Sequence, residues 1–197
     1  EQYRLDRVAR VCARVADNLA EQMRQGKVEK SYFEEEFRRG RIFDPIELTI
    51  DNHKVFIEGK IDRVDVFEGG DMRVIDYKTG GDKVNIEQMR CGYKMQLMVY
   101  MQGAKSDDRR PAGVFYYNIK DLSVQMGNDG DVADTVSNEM NKGMALNGLC
   151  VDEAHILDEM PESMLGVKKF IISRATFESI EADVSRSIYD ISKRIIS

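Results

Sequence analysis

The chain has 197 residues, of which 42% are hydrophobic and 32% charged, and its formal net charge is −6 at pH 7. This composition is that of a soluble globular protein with enough residues for one domain and a substantial core. No apolar run approaches the roughly 20 residues of a membrane span, and no signal-peptide pattern opens the sequence. We therefore expect a cytoplasmic protein, with no association with membranes.

The cysteines and histidines exclude several classes of site. Cys12, Cys91 and Cys150 lie far apart and form no CxxC pair. An odd and sparse set argues against a disulfide framework and fits a reducing compartment. Zinc and iron–sulfur sites need closely spaced ligands, so this chain alone is not expected to form one. His53 and His155 are expected to be ordinary surface residues.

The negative charge restricts how nucleic acid could bind, because binding to phosphates is mostly electrostatic. Two interpretations stay open. A hydrolytic site concentrates carboxylates for a metal while a local basic strip contacts the strand, or a larger partner supplies most of the contact with DNA. The helical pattern is already under way at Glu1, so we expect a piece of a longer protein.

The first half of the chain changes from helix to strands. A stripe of apolar residues over 3–24 predicts a helix that ends at Gly26. Short β-rich runs follow, separated by turn signals at Asp51-Asn52 and at residues 68–71. The predicted strands are Ile46–Ile50, Val55–Ile57, Ile61–Phe67 and Met72–Tyr77.

The second half predicts a helix from Asn85 to about Gln102 and a strand over Gly113–Ile119. Residues 120–148 are polar and predict a mobile segment with a short helix near 131–142. A strand over Val167–Ile172 and an amphipathic helix over 174–196, capped by Ser173, close the chain. The fold class is therefore α/β, with a mixed β-sheet flanked by helices. We expect one domain over 1–197, with an N-terminal helix (1–26), a core (32–119), a polar segment (120–148) and a closing strand and helix (167–197).

Asp62, Asp76 and Lys78 are the candidates for chemistry. Asp76 and Lys78 are two apart on a strand, so their side chains point to the same face. A hairpin that turns around Gly69 places Asp62 opposite Asp76 on that face, whereas a slip of one residue sends Asp62 to the other side. Two carboxylates at one rung repel each other unless a divalent cation lies between them.

The helix that follows carries Gln96 and Tyr100 at i and i+4, with Tyr93 one turn earlier on nearly the same face. Placed after the strand of Asp76 and Lys78, these side chains are expected at the edge of the same site. The alternative for the whole arrangement is a solvated hairpin surface on which Asp and Lys form ion pairs. The upstream Gly-x-x-Asp at Gly59 and the apolar residues before Asp76 favour the catalytic interpretation.

Three segments together resemble the RecB-type branch of the PD-(D/E)XK nucleases, whose fold has a restriction-endonuclease-like core. They correspond to the GxxD, DYK and QLxxY motifs and cover Gly59–Asp65, Val74–Thr79 and Gln96–Tyr100. A wider resemblance, over roughly residues 32–196, is to the nuclease domains of the AddB (RexB) family of helicase–nuclease subunits. It is carried by Phe33–Phe37, Pro45–Ile50, Pro111–Tyr117, Gly148–Asp152 and Val167–Glu178.

The resemblance implies that Asp62 and Asp76 bind Mg²⁺ together with the backbone carbonyl of Tyr77, and that Mn²⁺ substitutes. It also implies that Lys78 is the catalytic lysine and that Gln96 and Tyr100 complete the site. An upstream acid often contributes in such folds. Glu36 is the candidate, with Glu35 an alternative in the same run.

The family implies a metal-dependent DNA exonuclease that acts on a single strand emerging from unwound duplex. Its partner is a helicase–nuclease subunit of the AddA type, and the assembly processes double-strand breaks for recombinational repair. AddB proteins often hold an iron–sulfur cluster, for which this chain has no cysteine triplet, so its ligands are expected elsewhere in the full-length protein. No P-loop occurs in the chain. The alternatives are a non-catalytic module that guides DNA in the same complex and a free-standing RecB-like nuclease of phage, plasmid or CRISPR type.

Overall fold

The computed structural model describes residues 2–25, 27–80, 82–119, 145–160, 165 and 170–196. The helices are α1 (Gln2–Gln25), α2 (Ile86–Arg90), α3 (Gln96–Ala104), α4 (Ala154–Glu159) and α5 (Arg174–Ile196). The strands are β1 (Val28–Phe37), β2 (Ile46–Ile50), β3 (His53–Ile57), β4 (Gly59–Phe67), β5 (Asp71–Lys78), β6 (Arg110–Asn118), β7 (Leu146–Val151) and β8 (Phe170–Ile172).

A six-stranded sheet in the order β1-β4-β5-β6-β7-β8 forms the centre of the fold. The pairs β5/β6 and β7/β8 are parallel, and the other neighbours are antiparallel. Strands β2 and β3 form a separate hairpin, whose turn at Asp51 and Asn52 has positive φ at both residues, as its geometry requires. The expected α/β class with a mixed sheet and flanking helices is confirmed.

The hairpin of β4 and β5 has the register on which the predicted site depends. Arg63 pairs with Ile75 and Val64 with Val74, and Asp62 and Asp76 are the two residues next to the last of these pairs. The turn forms because Gly69 and Gly70 adopt φ values of +95° and +87°, a region that favours glycine. The backbone N–H of Gly70 closes the turn with a 3.0 Å hydrogen bond to the carbonyl of Phe67.

The continuous helix predicted from Asn85 to Gln102 is wrong. α2 ends at Arg90 and α3 begins at Gln96, and Gly92 and Lys94 between them have φ values of +82° and +49°. Such values are incompatible with a right-handed helix, so the chain changes direction there. The sequence prediction also omitted β1, β7 and α4, and the helix expected near 131–142 lies outside the described residues.

The C-terminal helix α5 holds α2 and α3 against the sheet. Arg90 Nη1 donates a 3.0 Å hydrogen bond to Ser179 Oγ, and Gln102 Nε2 donates one of 2.7 Å to Ser185 Oγ. The helix begins as predicted, since Ser173 Oγ accepts a 3.2 Å hydrogen bond from the N–H of Thr176. Within the described residues, none of the helices combines the length and the apolar character that a bilayer span demands.

Candidate active site

The candidate site lies on the face of the sheet that α3 covers, here called the site face. On this face the ammonium of Lys78 lies 2.7 Å from Oδ2 of Asp76. The backbone N–H of Tyr77 donates a 2.9 Å hydrogen bond to Oδ2 of Asp62. The two strands therefore meet where sequence reasoning expected, with both acids and the lysine at the same end of the hairpin.

Burial and charge set the protonation of this group. Burial raises the pKa of Asp76, the negative charges of Asp62 and Asp82 raise it further, and Lys78 opposes them. Burial lowers the pKa of Lys78, but its contact with Asp76 outweighs this and the net shift is upward. Lys78 is thus held as a cation beside a carboxylate that is costly to keep charged.

Helix α3 adds a short chain of hydrogen bonds. Lys78 Nζ donates to Oε1 of Gln96 over 3.0 Å, and Nε2 of Gln96 donates to the hydroxyl of Tyr100 over 2.8 Å. The spacing of one helical turn brings Gln96 and Tyr100 to the same side of α3, as predicted. Tyr93 does not join them, because it lies in the connection before α3 with 70% of its surface exposed.

Gly59 and Gly103 position α3 by leaving room for one aromatic ring. A Cβ atom at Gly59 would lie 2.6 Å from the ring of Phe37, and one at Gly103 would lie 2.7 Å from it. The ring of Phe37 is fully buried between them and packs edge-on against Tyr100, with 6.1 Å between centroids. The glycine of the Gly-x-x-Asp segment is therefore needed for space rather than for an unusual φ.

Sequence reasoning missed Tyr116 and Asp82 as members of the site. Tyr116 pairs with Asp76 across β5 and β6, and Nζ of Lys78 lies 5.8 Å from the centre of its ring. Burial, with the charges of Asp76 and Asp82, raises the pKa of Tyr116 to about 12, so it stays neutral. Strand alternation from Asp76 to its parallel neighbour would have identified Tyr116, whereas Asp82 lies in a loop and carries no periodic signal.

The upstream acids lie on β1, the neighbour of β4. Glu36 pairs with Lys60, and its Oε2 lies 3.2 Å from Arg38 Nε and 3.0 Å from Arg41 Nη2. Glu35 pairs with Ile61 in the same ladder. Glu36 thus forms ion pairs with Arg38 and Arg41. Its role as an additional acid in the site stays a prediction.

The chemistry of the donors fits a hard divalent cation. Apart from its ion pair with Lys78, the buried Oδ2 of Asp76 has no hydrogen-bond partner in the described part of the chain. Among residues 2–25, 27–80, 82–119, 145–160, 165 and 170–196, no three His, Cys, Asp or Glu side chains converge to hold a metal. Mg²⁺ keeps several water ligands when it binds to proteins, so two carboxylates are enough to hold it. They would not be enough for an ion whose ligands all come from the protein.

The opposite face of the same hairpin holds a buried charge network that sequence reasoning missed. Oδ1 of Asp65 accepts hydrogen bonds from Arg63 Nε and Ser31 Oγ, both at 2.7 Å, and Oδ2 accepts one from Arg73 Nε at 2.8 Å. The side chains of Arg63, Asp65 and Arg73 are fully buried. Arg63 Nη1 also donates to the hydroxyl of Tyr77 over 3.4 Å. The network therefore ties β1, β4 and β5 together directly behind the site.

Known proteins are similar to this chain over most of its length. The family model described as the PD-(D/E)XK nuclease superfamily matches residues 1–193. A protein of Thermoanaerobacter sp. (strain X514), named as a subunit of an ATP-dependent helicase/deoxyribonuclease, is 28% identical over an alignment that covers 100% of this chain and 19% of the relative. Proteins of the same name from Alkaliphilus metalliredigens and Clostridioides difficile are 29% and 30% identical, over 83% and 75% of this chain and 15% and 14% of theirs.

The chain spans about a fifth of the length of the first of these relatives. Each of these alignments includes most or all of the chain. The names of the relatives describe whole proteins, of which the matched region is a small part.

Proposed function

Because the chain belongs to the PD-(D/E)XK nuclease superfamily, we propose that it hydrolyses phosphodiester bonds of DNA at Asp62, Asp76 and Lys78. The observation that supports this assignment is the meeting of β4 and β5 at the end of their ladder, where the N–H of Tyr77 donates to Asp62 over 2.9 Å and Lys78 lies 2.7 Å from Asp76. In an ordinary surface ion pair both charged groups are exposed to solvent. Asp76, by contrast, is only 1% exposed.

The proposed cofactor is Mg²⁺, with Mn²⁺ as a substitute. Its ligands would be the carboxylates of Asp62 and Asp76 and the backbone carbonyl of Tyr77. When bound, a divalent cation polarises a phosphodiester and lowers the pKa of a bound water.

The protein's own groups have separate roles in this proposal. The ammonium of Lys78 offsets the negative charge that develops on the phosphate oxygens. Gln96 accepts a hydrogen bond from Lys78 and donates one to Tyr100, so it orients the lysine. Tyr116 lies 5.8 Å from the same ammonium and supports its charge through its ring.

The names of the relatives support a role within a larger assembly. We propose that the chain is the nuclease domain of an AddB-type subunit, acting as an exonuclease on a single strand of DNA. Its partner would be an AddA-type helicase–nuclease subunit in the cytoplasm, and the assembly would process double-strand breaks for repair by recombination. An iron–sulfur cluster in the full-length protein would draw its ligands from outside this chain.

A cleavage assay tests the catalytic part of the proposal. The chain is incubated with end-labelled single-stranded DNA in Mg²⁺, in Mn²⁺ and in EDTA. Shortened products with either ion and none in EDTA are expected. Intact DNA under all three conditions, from a chain that is folded by circular dichroism, would contradict it.

A further inference from the structure

A cavity of about 550 Å³ lies beside α2 and the connection to α3. Its lining consists of Glu87, Gln88, Cys91, Tyr93 and Lys94. This volume is within the range of about 300–1,000 Å³ for small-ligand sites. Of the side chains expected at the site, Tyr93 lines this cavity, whereas Asp62, Asp76, Lys78, Gln96 and Tyr100 do not.

Tyr93 gives the cavity an aromatic wall. Tyr93 is 70% exposed, and its backbone N–H donates a 2.7 Å hydrogen bond to the carbonyl of Gln88. An aromatic ring that is largely open to solvent can stack on a nucleobase. Gln88 and Glu87 add an amide and a carboxylate to the same lining.

Lys94 connects the cavity with the candidate active site. Its Nζ lies 3.9 Å from Oδ1 of Asp82, and the backbone carbonyl of Asp82 accepts a 3.2 Å hydrogen bond from Asn118 Nδ2. Asn118 pairs with Lys78 across β5 and β6. The cavity is therefore linked to the strand of Lys78 through Asp82 and Asn118.

We propose that this cavity binds a nucleobase of the DNA strand whose phosphate lies at Asp62 and Asp76. The base stacks on the ring of Tyr93, and the ammonium of Lys94 contacts an adjacent phosphate. This inference rests on the proposed function, because it takes the substrate to be single-stranded DNA. Stacking does not discriminate strongly between bases, so the subsite is expected to hold the strand without selecting its sequence.

Binding without cleavage tests the subsite. The affinity of the full chain for a fluorescein-labelled single strand is measured by anisotropy in EDTA. Removing one stacking ring costs about 1–3 kcal/mol, so Tyr93→Ala is expected to weaken binding by about 5- to 150-fold. Tyr93→Phe keeps the ring and is expected to bind like the unmodified chain. Tyr3→Ala is the matched control, because Tyr3 is 72% exposed on α1.

Abasic positions in the oligonucleotide separate stacking from a general loss of affinity. An abasic residue at the stacked position should weaken binding by the unmodified chain and leave Tyr93→Ala unaffected. Equal affinities of Tyr93→Ala and the unmodified chain, or no binding by the unmodified chain, would overturn the proposal. If base-dependent binding is found and Mg²⁺ gives no cleavage, the subsite stands and the proposed function fails.

Cys91 provides an independent probe, since it is exposed and lines the cavity. In a Cys12→Ser background, the oligonucleotide is expected to slow the reaction of Cys91 with a maleimide several-fold. The same oligonucleotide made entirely of abasic residues should protect much less. Equal labelling rates with and without the intact oligonucleotide would also count against the subsite.

Discussion

The backbone N–H of Tyr77 donates a 2.9 Å hydrogen bond to Oδ2 of Asp62, which joins the two acidic strands at the site itself. The side chain of Tyr77 contacts Arg63 on the opposite face. Tyr77 therefore links the candidate site to the buried network of Asp65, and both faces of the hairpin fix the position of the acids.

A divalent cation is expected to raise the melting temperature of the chain. Asp62 and Asp76 repel each other when no cation is present, and a ligand that binds the folded state alone stabilises it by about 2.7 kcal/mol at 100 times its Kd. For a chain of this length, each kcal/mol corresponds to about 2–4 °C. Differential scanning fluorimetry with MgCl₂ or MnCl₂ measures the shift, and NaCl of equal ionic strength is the control. An Asp76→Ala variant that keeps the full shift would show that the ion binds elsewhere.

Gly59→Ala is expected to destabilise the chain and to lower its activity. The added methyl group would overlap the ring of Phe37, and overpacking of this kind costs about 1–3 kcal/mol. Urea unfolding measures this loss. The double variant Gly59→Ala/Phe37→Leu tests the cause, since a smaller side chain at 37 should recover part of the penalty. Strictly additive losses would mean that the ring is not what Gly59 accommodates.

Asp65→Asn is expected to cost about 3–5 kcal/mol, because it leaves two buried guanidinium groups without their counter-ion. Burial raises the pKa of Asp65, but Arg73 and Arg63 outweigh burial and the net shift is downward. A depressed pKa contributes stability that is present above the unfolded value of about 3.9 and is lost as pH falls through the folded pKa.

The stability difference between the unmodified chain and Asp65→Asn should therefore be constant above about pH 5 and narrow below about pH 4. Urea unfolding from pH 3 to pH 8 measures it. Asp107→Asn, at an exposed turn, controls for the loss of one negative charge. A difference that stays the same down to pH 3 would be inconsistent with a depressed pKa at Asp65.

Gln96→Ala is expected to lower kcat by up to about 100-fold, because misplacement of a catalytic group by 1 Å has effects of that size. The variant leaves Lys78 without its 3.0 Å acceptor. Gln102→Ala on the same helix is the comparison, since Gln102 bonds to α5 rather than to the site. It should lower the melting temperature and leave kcat nearly unchanged. Equal losses of kcat in both variants would point to a general disturbance of α3.

Much of the site could be predicted from the sequence because successive side chains of a strand point to opposite faces of the sheet. Turn glycines at 69 and 70 fixed the centre of the hairpin, and the spacing of Asp76 and Lys78 fixed their common face. The same alternation applied to Arg63, Asp65 and Arg73 indicates the network on the opposite face. It was overlooked because fully buried charges are rare and such residues are usually assigned to the surface.

Other features of the fold and the site leave no clear signal in the pattern of apolar residues. The break between α2 and α3 follows from the backbone at Gly92 and Lys94, while the apolar pattern on both sides continues with helical spacing. β1 was missed because its charged residues at Glu34–Glu36 mask its alternation. The contribution of Asp82 arises from the packing of a loop beside Asn118, which no local pattern encodes.

The most direct test of the assigned site is the single-turnover rate of DNA cleavage in Mg²⁺ for Lys78→Ala beside Lys83→Ala. Lys83 is an exposed lysine five residues away, so the pair separates the site from a general loss of positive charge. We expect Lys78→Ala to lower the rate by at least about 100-fold, in the range of general acid–base and electrostatic contributions, with its circular dichroism spectrum unchanged. Lys83→Ala is expected to cleave at nearly the unmodified rate. Full activity in Lys78→Ala would contradict the assigned site.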